Sequence, residues 1–212
     1  DLTVEGDFTL AQGKLESTSG KLIFSQGGTQ SGSSEFDLGV STLVLGAGLT
    51  KTSGNLDSSL ATLYLLADLS ISSDSALYFN QLELNNRTLT LGSESTDLQI
   101  SSALILDNAN ERVITGKADL SLLAFQDISI GGVTSTGGVI SLQEGGRLLG
   151  NGILDVSGSI WTLGGDFEKS NGTLTMSGTN LKLEDNSTLT SDGALNFVNL
   201  NLNDYALTLG SS

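Results

Sequence analysis

The feature that most constrains this chain is that it repeats itself. Displaced by 118 residues, the sequence matches itself without a gap: residues 45–93 overlie 163–211, and 21 of those 49 positions are identical. Leu77-Tyr78-Phe79 meets Leu195-Asn196-Phe197, Leu82-Glu83-Leu84-Asn85 meets Leu200-Asn201-Leu202-Asn203, and Leu89-Thr90-Leu91-Gly92-Ser93 meets Leu207-Thr208-Leu209-Gly210-Ser211. A weaker match continues upstream, where Asp1-Leu2 meets Asp119-Leu120 and Gly27-Gly28 meets Gly145-Gly146. Residues 1–118 therefore form one unit and 119–212 a second, partial one. A repeated chain of this kind builds its core by stacking like upon like.

A shorter rhythm runs inside each unit. A small residue, any residue and an apolar one recur at Gly13, Ser34, Gly54 and Ser75, and again at Gly131, Gly152, Gly172 and Gly193. The spacing is 20 or 21 residues, one turn of a solenoid. Within a turn, apolar residues alternate in short runs, as in Leu77/Phe79, Leu82/Leu84 and Leu89/Leu91, split by Asn, Gly and Ser. Alternation over three to five residues between turn formers predicts strands, three to a coil. The fold expected is all-β: one continuous parallel β-helix (β-solenoid), right-handed by the general preference of parallel crossovers.

Two stretches resemble helix. Residues 60–67 are rich in Leu and Ala, but their copy, 178–185, reads as strand and turn, so strand is expected for both. Around Leu104–Ile114 the rhythm weakens, which predicts a strand followed by a loop near Asp107–Arg112. Gly and Ser ahead of the inward Leu are expected at corners with positive φ, and Asn85 and Asn203 should close the same turn in both units and bond to adjacent coils. The absence of Pro fits strands that must all donate hydrogen bonds.

Charge narrows the function. Twenty-four acids stand against nine bases, for a net charge of −15. Nucleic acid is excluded as a partner for want of a basic footprint, an anionic membrane surface would repel the chain, and no apolar run is long enough for a spanning helix. With no Cys and no His, thiolate metal sites, disulfides and the common nucleophile–base pairs are absent. The chain opens at Asp1 without a signal-type segment and reads as a length cut from a longer one.

The short coils with Gly-x-Leu corners, the Ser/Thr/Asn-rich outer faces, the lack of Cys and the acidic balance resemble the β-helical stalks of bacterial surface proteins. These are the filamentous-haemagglutinin-like adhesins, autotransporter passengers and other giant repetitive adhesins. The resemblance implies secretion to the cell surface and a stalk or adhesive role. It also implies neighbouring repeats of a longer parent chain as partners, and a glycan or protein receptor. Residues 1–118 and 119–212 would then be successive units of one solenoid.

No residue is assigned a catalytic, cofactor-binding or metal role. Asp74 and Asp192, and Asp37 and Asp155, occupy matching positions, which suits turns better than a unique active site, and Arg87, Arg112 and Arg147 are scattered. Asp107-Asn108-Ala109-Asn110-Glu111 and Glu184-Asp185-Asn186 offer oxygen ligands suited to calcium, but also ordinary turn residues. The Gly-Gly pairs at 27–28, 131–132, 137–138, 145–146 and 164–165 read as corners. Asn86, Asn171 and Asn186 open glycosylation-type triplets. Trp161, opposite Leu43 in the repeat, is expected in or near the core, and Tyr78 and Tyr205 outside, in different coils. Besides a noncatalytic stalk, two functions compete: a carbohydrate-binding or carbohydrate-cleaving β-helix, which needs a groove, and an ice- or mineral-binding one, which needs a hydroxyl ladder. Thr90, Thr175, Thr190 and Thr208 do not recur at every coil, so this reading ranks last.

Overall fold

Alternation builds the strands and the 20-residue period stacks them. In the computed structural model, which describes residues 1–92 and 96–211, the chain forms 28 strands of three to eight residues and, among the described residues, no helix. Ser93, at the end of the repeat match, lies outside the described residues. Each turn visits three faces. Lys21–Phe24, Gly28–Gln30 and Glu35–Asp37 make one turn; Thr42–Leu45, Leu49–Lys51 and Asn55–Asp57 lie on them in parallel in the next. About ten turns stack into a β-solenoid.

The inward residues form columns. Leu22, Leu43, Leu63, Leu82 and Leu104 stand one above another on the first face, all buried. A lone coil would leave this column in water. Stacked, each Leu gains roughly 1.5–3 kcal/mol from burial, which is why the fold forms as a stack or not at all. Aromatic clusters sit toward the two ends: Phe8 stacks on Phe24 at 4.2 Å, and Trp161 meets Phe167 edge-on at 4.9 Å. Trp161 is fully buried, in the place Leu43 takes in the first unit.

The two units are not superposed by sliding along the axis. Strand Leu77–Glu83 runs round a corner: residues 81–83 pair with Thr62–Leu65 on the first face, while 77–79 lie on the third. Leu98–Ile105 follows it, with a register shift at the corner. Residues 98–100 then carry Leu120–Leu122 on the third face. Leu120–Leu122, however, is the repeat equivalent of Leu2–Val4, which begins the first face. Successive first-face strands start at residues 2, 21, 42, 62, 81 and 103, so residue 120 falls five turns and two faces beyond residue 2. One 118-residue unit is thus five and two-thirds turns, and every residue of the second unit faces one side away from its counterpart. The core and the second- and third-face ladders pass through the join at 118/119, while on the first face strand pairing breaks between residues 103–105 and Gln126–Ile128, where Gln126 Oε1 accepts from Leu104 N.

The strand expectations hold and the corner expectations hold in part: the Asn203 turn is closed by its own N–H donating to Asn201 Oδ1 at 3.0 Å. Residues 60–67 contain strand Thr62–Leu65, and the weak stretch is strand to Ile105, loop, and strand again from Arg112. Asn85 and Asn203 have φ of 51° and 49°, each followed by a second left-handed residue, Asn86 or Asp204. Asn85 Nδ2 donates to Leu65 O, one coil back, at 3.1 Å. The corner glycines divide: Gly13, Gly54 and Gly131 have positive φ, but Gly152 and Gly172 do not. There a Cβ would stand 2.0 Å from Ile128 O and 2.5 Å from Leu148 Cγ, so the requirement is close approach, not backbone conformation.

Candidate functional site

The residues singled out in the sequence are mostly used by the fold. Lys51 takes an inward place in the alternation, its side chain 5% exposed, and its ammonium donates to the Asp74 carboxylate and to Ser75 Oγ at 2.9 Å. Lys169 and Asp192, 118 residues on, make the same ion pair. Hydrogen bonding from these lysines holds both carboxyls below the usual Asp value. Asp155 Oδ1 accepts from the N–H and Oγ of Ser157, and Asp37 Oδ1 from Gly39 N at 3.2 Å, both as turn closures.

The calcium-like turns are also occupied by protein donors. The buried Glu111 accepts from Asn86 N at 2.7 Å on one oxygen, and from Asp107 N at 2.6 Å and Asn108 N at 3.0 Å on the other. Its carboxylate thus closes the loop on which it lies. Arg112 Nη1 caps the carbonyls of Ala109 and Glu111. Glu184 pairs with Lys182 at 3.1 Å, and Asn186 Oδ1 accepts from Ala206 N. Among the described residues, no three acids gather in metal-holding range. Asn86, Asn171 and Asn186 are exposed, as are Tyr78 and Tyr205 on separate coils.

Register reveals what the sequence period concealed. Thr9, Thr29, Thr50 and Ser72 point outward in one column over four successive coils of the second face. This is a hydroxyl column of four coils, not of every coil, built from residues other than Thr90, Thr175, Thr190 and Thr208. The repeat equivalents, Asp127, Arg147, Glu168 and Thr190, form the matching column in the second unit. A recess lies over each column. The first, about 680 Å³, is lined by Thr50, Ser70, Ser72 and Thr90 beside the small corner Gly46-Ala47-Gly48. The second, about 260 Å³, is lined by Phe125, Arg147, Glu168 and Thr190 with Asp166 and Thr188. The lining pairs Gly48/Asp166, Thr50/Glu168, Ser70/Thr188 and Ser72/Thr190 are all 118 apart, so the two grooves are one feature present twice.

No protein-family model, curated protein or solved structure matches the chain. The grooves must therefore be read from their own chemistry, and they differ. In the second, Arg147 grips Asp127 through Nε and Nη2 at 2.7 and 2.6 Å. This bidentate bond lowers the Asp127 pKa and raises that of the guanidinium. The guanidinium also lies 5.7 Å from the centroid of Phe125, whose ring is 49% exposed. Sequence reading passed over Phe125. Its only signal is that it stands where the first unit has Asp7, a large apolar ring replacing an acid at a corner.

Proposed function

We propose that this chain is a structural and adhesive length of a large extracellular bacterial surface protein, working without catalysis. One observation carries the reading: parallel ladders on three faces, unbroken on the second from Phe8–Leu10 to Thr173–Thr175, around a continuous Leu-rich core, which makes a stiff spacer from a chain with 27 glycines. Small-angle scattering tests the rod. Ten coils at ~4.8 Å give an axis of about 50 Å, expected to be the same with calcium and with chelator; a compact particle, or collapse on chelation, would sink the inert-rod reading. Adhesion of the labelled rod to glycan- and protein-coated surfaces tests the other half. The second reading, a carbohydrate-binding β-helix, is favoured by the groove present in both units, most of all by the exposed ring beside Arg147.

A further inference from the structure

The second groove has the parts of a sugar subsite, and the first shows what was changed to make it. At the same place in the repeat, the outward column Thr9-Thr29-Thr50-Ser72 is replaced by Asp127-Arg147-Glu168-Thr190, and Asp7 by Phe125. A pyranose offers two surfaces at once: a face of C–H groups, and a rim of hydroxyls that both donate and accept. A half-exposed ring suits the first. Ionised carboxylates that only accept, and a guanidinium that only donates, suit the second. The Arg147–Asp127 fork holds these groups in place before any ligand arrives, so little side-chain entropy remains to be lost.

We propose that the groove over Gly146–Leu149, Phe167–Ser170 and Ser187–Ser191 binds a neutral or amino-sugar glycan, one ring lying on Phe125 with its hydroxyls held by Arg147, Glu168 and Thr190. The charge of the site selects among glycans. Asp127, Asp166 and Glu168 outweigh Arg147, so uronic-acid polymers are repelled. This goes beyond the rod itself and rests on the carbohydrate-binding reading.

The test is a glycan array spanning neutral, amino-sugar and uronic-acid oligosaccharides, followed by saturation-transfer NMR with the best neutral hit. Phe125→Ala is expected to weaken binding about tenfold, the upper range for one aromatic contact. Its melting temperature should stay within a degree or two, because the ring is half in solvent. Thr50→Ala, in the first groove, is expected to leave binding unchanged. Binding lost in Thr50→Ala but kept in Phe125→Ala would overturn this subsite while leaving a carbohydrate-binding protein. A preference for uronic acids would overturn the charge argument and with it the proposal. No binding to any glycan would overturn both the subsite and the carbohydrate reading, while the scattering result decides the rod separately.

Discussion

At the residue scale, the clearest device is the lysine turned inward. Lys51 and Lys169 sit where the alternation calls for an apolar side chain, and each is neutralised by an Asp at the next corner. Removing one partner and replacing the pair are different operations. Asp74→Ala strands a buried ammonium that keeps its bond to Ser75 Oγ, and should cost roughly 1–3 kcal/mol. Lys51→Met keeps the length, removes the charge and leaves Asp74 in solvent, and should be near neutral. Urea unfolding distinguishes the two, and equal losses would refute the argument. The pair also sets an acid limit. Asp74 and Asp192 have folded pKa values below the unfolded value of 3.8. Their contribution is therefore complete above that pH and is lost as the pH falls through the lower folded value. Melting temperature should decline below about pH 4, and less steeply in a variant carrying Asp74→Asn and Asp192→Asn, which has no such titration.

At the element scale, corners rather than strands carry the tightest requirements. Gly27 and Gly145 are repeat equivalents with φ of 74° and 75°, and a Cβ on either would stand 2.0 Å from a carbonyl oxygen of the coil above, that of Gly48 or Asp166. Both conformation and contact forbid a side chain there. Gly27→Ala is expected to destabilise by more than the ~1 kcal/mol of an ordinary left-handed substitution, whereas Gly193→Ala, with negative φ and open space, should change little. Denaturant midpoints of the two variants check this, and similar values would show that the corner relaxes. These corners are legible as glycine in the sequence, but which glycine serves conformation and which serves proximity depends on the neighbouring coil.

For the whole molecule, stacking makes a coil a removable part. Thr62 lies over Thr42 in register, so deleting residues 42–61 brings Thr62 into the place of Thr42 and rejoins the first- and second-face ladders. The deletion variant is expected to fold with a strand-rich spectrum and a rod about 4.8 Å shorter. Deleting only 46–52, about one face, should unfold it, because inward and outward residues would exchange sides. Circular dichroism and scattering distinguish the two. The five-and-two-thirds-turn unit has a consequence of the same kind. Equivalent grooves face different sides of the rod, and three such units, seventeen turns, would return to the starting side.

By itself the sequence determined the coil. Alternating Leu chose the inward face, Asn and Gly chose the corners, and the 118-residue copy settled residues 60–67 as strand, all because burial and backbone conformation act on a few adjacent residues. The phase between units left a trace too: the corner motif jumps 56 residues from Ser75 to Gly131, not a whole number of turns. Only the tertiary structure decided what that jump means, since a turn of face is a relation between coils and not within one. The same holds for the groove. Thr50, Ser70 and Ser72, or Phe125, Arg147 and Glu168, are up to 43 residues apart and meet only through parallel register, with nothing local to mark them as neighbours.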